Sequence, residues 1–136
     1  MTRAKLAVGV VAAVAISIIA TFIAVTKTFD TAVMRLKEGR YSDAVGSLEV
    51  LAVLGHQQSQ FLVGEANAYG RGVPRNREDA LKWFRRAAIR SEGLKDPAAY
   101  AAYYVGKSYR DGEGIDKDPR EAQFWFEVAD KGGYRP

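Results

Sequence analysis

The chain has 136 residues, room for one domain of ordinary size. Hydrophobic residues at 48% and charged residues at 26% are those of a globular protein, and the absence of cysteine excludes disulfides and thiolate metal sites. Of the 20 lysines and arginines, Arg3 and Lys5 precede a long apolar stretch. The other 18 nearly cancel against 16 acidic residues, which is not the balance of a nucleic-acid binder.

Leu6 to Val25 carries no charge in twenty positions. As a helix it spans about 30 Å, the thickness of a bilayer's hydrocarbon core. The run exceeds the length of a signal-peptide core, and Phe22–Thr26 offers no small-x-small cleavage site, so a retained anchor is expected over residues 1–26. Arg3 and Lys5 favour a cytoplasmic N-terminus in the inner (cytoplasmic) membrane, with the following domain extracytoplasmic. Lys27, Arg35, Lys37 and Arg40 pull the other way. Gly9, Ala13, Ser17 and Thr21 recur every four residues, a ridge that lets a second membrane helix approach closely, although small residues are common in such spans.

After the span, Thr28 to Glu38 reads as a helix continuous with it, and a second helix follows Gly39-x-Tyr41-x-x-Ala44-x-x-x-Leu48. His56 is placed in the next turn. A repeat then appears at an offset of 42 residues: Phe61–Ala88 aligns without gaps on Tyr103–Asp130. Val63/Val105, Gly64/Gly106, Gly70/Gly112, Gly72/Gly114, Ala80/Ala122, Trp83/Trp125, Phe84/Phe126 and Ala87/Ala129 are identical. Glycine inside a helix costs about 1 kcal/mol relative to alanine. Gly64 and Gly106 therefore suggest close approach of a second helix. Gly70-x-Gly72 and Gly112-x-Gly114 end a first helix in a turn with positive φ. Asn76 and Asp118 are N-cap types, followed three residues later by Asp79 and Glu121, with Pro119 suited to the first helical position. Ala80, Trp83, Phe84 and Ala87, and their counterparts, form one helical face. Asp96-Pro97 marks the start of the helix before the second copy.

These residues resemble Sel1-like repeats, a branch of the tetratricopeptide group, whose pattern of Gly, Tyr and a Gly-x-Gly turn is followed by an Asp cap, a Trp and paired alanines: Val105-Gly106-x-x-Tyr109-x-x-Gly112-x-Gly114-Ile115, Asp118 and Trp125 in the second copy, and Ala87-Ala88 in the first. The first copy departs from the pattern with Asn67 where Tyr is expected. Gly39 to Leu48 resembles a plain tetratricopeptide unit. With the apolar run read as one N-terminal transmembrane helix, the resemblance implies an all-α protein whose remainder is a short α-solenoid of about three helix-turn-helix repeats over 27–136 (27–55, 57–92 and 97–133). It also implies a concave face that binds peptides or proteins.

On the resemblance's geometry the first helices line that face, with Phe29, Phe61 and Tyr103 at equivalent positions and Glu65, Lys107 and Arg110 one turn on. They form either an aromatic groove with a polar rim or rings packed between helices. Tyr100, Tyr103, Tyr104 and Tyr109 are too many for one side of a helix, and tyrosine suits interfaces. Residues 71–90 hold seven basic and two acidic side chains, against three and six in 113–132. Arg71, Arg75, Arg77, Arg85 and Arg86, with Lys82 and Arg90, are thus a basic patch for anionic lipid or an acidic partner, a complement to the neighbouring repeat, or a solvated face. No catalytic triad, metal cluster or nucleotide loop is recognisable, and Gly70-Arg71-Gly72 follows no strand. The expectation is a non-enzymatic interaction module without cofactor, metal or nucleic acid. Its partners are proteins, expected to be subunits of an integral-membrane complex that it serves as an accessory or assembly subunit. The alternative is a tethered or secreted repeat adaptor whose groove takes a soluble peptide or small ligand; a catalytic factor released from its apolar segment is a third class.

Overall fold

The computed structural model describes residues 3–89 and 97–135, so Arg90 and Asp96 lie outside the described residues. Six helices follow one another: α1 (Arg3–Lys37), α2 (Tyr41–Val53), α3 (Gln57–Tyr69), α4 (Arg77–Ile89), α5 (Ala98–Asp111) and α6 (Pro119–Lys131). No strand occurs among the described residues. Each helix packs chiefly on the next, from α1 on α2 through to α5 on α6, the nearest-neighbour architecture of a solenoid.

Helix α1 runs 35 residues without a break. Nothing between Val10 and Glu38 is glycine or proline. Thr26, Thr28 and Thr31, poor helix formers, turn their hydroxyls back onto carbonyls of the preceding turn at 2.8–3.1 Å. The helix stops at Gly39, whose φ of +76° lets Arg40 N–H donate to the Arg35 carbonyl at 2.9 Å. The most apolar window of α1 averages a hydropathy of 2.7 and none of it is buried in the chain. By length and composition this segment suits a membrane anchor or a signal sequence. Its last third does pack: Ala32 is buried with Leu48, Ala52 and Val63, flanked by Phe29 and Leu36.

The two repeat copies fold alike because the same residues meet the same constraints. A Cβ on Gly64 would lie 2.9 Å from the Phe84 ring, and one on Gly106 2.8 Å from Phe126, so each glycine is where the second helix lays its ring on the first. Gly70 and Gly112 cap α3 and α5 in the left-handed region. Asn76 Oδ1 accepts from Asp79 N–H at 3.1 Å, and Asp118 from Arg120 and Glu121 N–H at 2.9 and 3.2 Å. Phe84, Ala80 and Ala87 are fully buried in a core that continues through Ala101, Ala102 and Val105 to Ala122, Trp125 and Ala129. Asn67, where the pattern leads one to expect tyrosine, is also buried, and its amide donates to the Val63 carbonyl at 2.9 Å.

Candidate protein-binding surface

Between α1 and α3 lies a cavity of about 230 Å³, walled by Leu36, Tyr41, Leu62 and Ala66 and bordered by Lys37, Glu65 and Arg71. Glu65 is half-buried, and that burial pushes its carboxyl above the usual range against the pull of Arg71. No ion pair to Glu65 forms among the described residues. The site therefore holds a partly desolvated carboxylate beside apolar walls, fit to receive a donor-bearing side chain.

A second cavity, of about 270 Å³, opens between α5 and α6 beside Tyr103, Arg110, Phe126 and Tyr134. A chain of rings leads from α3 to this second cavity. Phe61 lies 5.7 Å from Phe84 and from Tyr100, Tyr100 5.5 Å from Tyr134, Tyr134 5.0 Å from Tyr103, and Tyr103 5.6 Å from Phe126. Tyr100 also meets Tyr69 hydroxyl to hydroxyl at 3.0 Å, and burial raises the phenols of Tyr100 and Tyr104. Phe61 and Tyr103 are both half-buried members of this chain. Phe29 is not: its ring lies 4.7 Å from His56, which caps α3 by accepting Ser59 N–H at Nδ1. Tyr69 and Tyr134, which complete the linkage, carry no repeat signal, because Tyr134 follows the second copy and Tyr69 has Asp111 as its counterpart.

Lys107 and Arg110 are brought together, but by Asp111. Lys107 Nζ lies 3.0 Å and Arg110 Nε 2.8 Å from its carboxylate, and these two hydrogen-bonded cations hold Asp111 well below the usual carboxylate range. Lys107 also reaches Glu113 at 3.5 Å, and Arg77 approaches the same Glu113 from the preceding repeat at 3.6 Å.

The five arginines 71, 75, 77, 85 and 86 do not gather at one point. Arg71, Arg75 and Arg77 lie around the turn between α3 and α4, whereas Arg86 lies in the last turn of α4. Nine residues of helix, from Arg77 to Arg86, separate the two groups by about 14 Å. Four of the five also have intramolecular roles besides the Arg77–Glu113 pair: Arg75 Nε donates to the Ala68 carbonyl at 2.9 Å, and Arg71, Arg85 and Arg86 stand over Tyr69, Tyr109 and Trp83. Gly9, Ala13, Ser17 and Thr21 all lie on the exposed part of α1, and Thr21 Oγ1 bonds back to the Ser17 carbonyl at 2.9 Å.

A third cleft, of about 450 Å³, lies between the ends of α2 and α4, beside Val53, Leu54, Gln60, Arg86 and Ile89. Gln60 Nε2 donates to the Ala52 carbonyl at 3.0 Å, while its Oε1 is buried with no partner among the described residues.

The model of the family described as Sel1 repeat matches residues 57–91 and 99–132, just over half of the chain. Among solved structures, the chain is similar to a Sel1 repeat protein from Oxalobacter formigenes, with 29% identity, a TM-score of 0.66, and 76% of this chain covering 40% of that one. It is also similar to c5321, a protective antigen present in uropathogenic Escherichia coli strains displaying an SLR fold. There the identity is 25% and the TM-score 0.69, over 81% of this chain and 23% of that one. The chain thus spans less than half the length of either. No curated protein sequence matches it.

Proposed function

The chain belongs to the Sel1 repeat family, whose repeats are protein-interaction modules, and from that premise we propose that it is a non-enzymatic, single-span accessory subunit of an integral-membrane complex. In this reading residues 1–26 are the anchor and 27–136 the repeat domain, divided as 27–55, 57–92 and 97–133. The observation that carries the proposal is the continuity of α1: one helix supplies both an apolar stretch that nothing in the chain covers and the first packed helix of the repeat array. A flexible tether would leave the repeats free to turn. An uninterrupted helix instead fixes their face relative to whatever packs on the span.

Two surfaces do the binding. In the membrane, the ridge Gly9, Ala13, Ser17 and Thr21 brings a partner helix close enough for backbone contact. Outside it, the cavity holding Glu65 and the ring-lined cavity with Tyr103 and Arg110 take side chains of a protein segment, Glu65 favouring a basic one. Phe61 and Lys107 support the second of these cavities through the contacts described above, whereas Phe29 packs on His56. The repeat domain is extracytoplasmic, with the Arg3/Lys5 end inside the inner membrane.

The test is a mild-detergent pull-down from native membranes with the full chain and with a variant carrying leucine at Gly9, Ala13, Ser17 and Thr21. Recovery of a defined integral-membrane complex by the former alone supports the accessory-subunit reading. Recovery of the same soluble proteins by both identifies a tethered adaptor that acts through its groove.

A further inference from the structure

The position of the third cleft along α1 has a consequence for where the repeats sit. Phe29 lies beside His56, so the turn between α2 and α3 stands level with a point four residues beyond Val25, the last residue of the apolar stretch. Four residues of helix advance about 6 Å. A bilayer's polar layer is about 5–8 Å deep on each side. If α1 crosses a bilayer with Leu6–Val25 in the hydrocarbon, the Leu54 turn falls within the headgroup layer.

The side chains at that level are unusual for a water-facing end. Val53, Leu54 and Ile89 are 72%, 73% and 71% exposed, three large aliphatics on the rim of one cleft. Gln57 Nε2 donates to the Ala87 carbonyl at 2.7 Å and so fastens the last turn of α4 at the height of the α3 start. Arg86, exposed and stacked on Trp83, is the cation of this rim. Apolar tips beside a guanidinium are the composition of a surface lying at an acyl boundary, where the charge pairs with phosphate.

We propose that this end of the repeat array rests on the bilayer, with Val53, Leu54 and Ile89 dipping to the base of the headgroup layer and Arg86 pairing with lipid phosphate. The inference rests on the reading of α1 as a membrane span. The bilayer is chosen as occupant because α1 itself delivers it to this rim: the helix has no glycine or proline after Gly9 at which the repeats could swing away. The repeats then sit against the membrane rather than standing off from it, with the Leu36 wall of the Glu65 cavity about 17 Å farther along α1 than Val25.

The sequence has no cysteine, so single cysteines can be labelled selectively. Nitroxides are attached to Leu54→Cys, Ile89→Cys, Ile16→Cys and Lys117→Cys in the full chain, reconstituted in vesicles of equal parts phosphatidylcholine and phosphatidylglycerol. Collision rates with oxygen and with a water-soluble nickel chelate give depth. The expected result is a several-fold lower chelate rate at Leu54→Cys and Ile89→Cys than at Lys117→Cys, with the oxygen rate raised toward that of Ile16→Cys. Chelate rates at Leu54→Cys and Ile89→Cys equal to that at Lys117→Cys, with Ile16→Cys immersed, overturn the inference and leave the span intact. A fall in both rates at the rim means shielding by a second copy and also overturns it. A water-exposed Ile16→Cys shows instead that the span reading has failed, and the rim proposal with it.

Discussion

His56 and Glu65 are two titratable side chains whose burial sets a pH dependence on the fold below the range of the tyrosines. Burial lowers the His56 pKa below its ordinary value of about 6.5. The native state thus favours the neutral ring, and the stability it contributes is present above about pH 6.5 and lost as pH falls through the lower native value. The geometry gives the cause a second handle, because a protonated Nδ1 cannot accept Ser59 N–H at 3.3 Å. His56→Asn keeps a capping acceptor without a titrating ring. In thermal melts of the detergent-solubilised chain from about pH 7.5 to about pH 5, its midpoint should fall less than that of the parent. Glu65 has the opposite sign. Its raised pKa favours the protonated form on folding, so its contribution is present below the ordinary carboxyl value and lost as pH rises through the native one. Glu65→Gln is therefore expected to melt higher than the parent at neutral pH and to converge with it near about pH 4. If the α1–α3 cavity binds as proposed, the same substitution weakens partner recovery, the usual exchange of stability for function at a binding site. Neither role was legible in the sequence beyond position: His56 was placed in a turn, but the tautomer-dependent cap and the burial of Glu65 depend on which helices close over them.

At the scale of the element, the second glycine of each Gly-x-Gly turn explains why the copies stack. A Cβ on Gly72 would come 2.5 Å from the Tyr41 carbonyl carbon at the start of α2, and one on Gly114 would come 2.9 Å from that of Arg77 at the start of α4. Each turn is thus seated on backbone of the preceding hairpin. Gly70 shares the positive φ, but its Cβ would meet Arg75 at an ordinary 3.4 Å. Gly70→Ala is expected to cost about 1–2 kcal/mol, the left-handed penalty alone. Gly72→Ala adds a backbone clash to the same penalty and should cost about 3 kcal/mol or more. Equal losses in urea unfolding would show that the turn is not a stacking contact. This is also why the repeats were legible from one sequence: the Gly-x-Gly turns, the caps at Asn76 and Asp118, and the Phe84 and Phe126 faces are all required by geometry that recurs at the same offset. The charge pattern was legible only as composition. Arg71, Arg75 and Arg77 are near Arg86 in sequence, yet helix α4 carries them to opposite ends of the hairpin, and Glu113 and the aromatic rings engage several of them locally.

For the molecule as a whole, stability is distributed as in any array of nearest neighbours, so the cost of a substitution depends on whether another hairpin stacks on it. Phe84 and Phe126 occupy equivalent positions and make this comparison within one chain. Phe84 is fully buried because α5 lays Tyr104 over it at 4.3 Å and Tyr100 at 6.3 Å. Phe126 remains half-exposed: Tyr103 and the guanidinium of Arg110 cover one side, and no helix follows among the described residues to cover the other. Tyr134 packs near it from beyond α6, and for that reason the ring chain could not be traced from the repeat pattern, which ends at Asp130. Phe84→Ala removes a ring with all its neighbours in place and should cost about 3–5 kcal/mol. Phe126→Ala empties a site already partly in water and should cost about half as much. Urea unfolding of both variants in the full chain measures the difference, and that difference is the contribution of one stacked hairpin to its neighbour's ring. If the two losses are equal, Phe126 is held as firmly as Phe84, and the ring is not left half-covered on the α6 face. If Phe126→Ala costs little in the isolated chain yet abolishes recovery of the membrane complex, the partner supplies the second side of that ring.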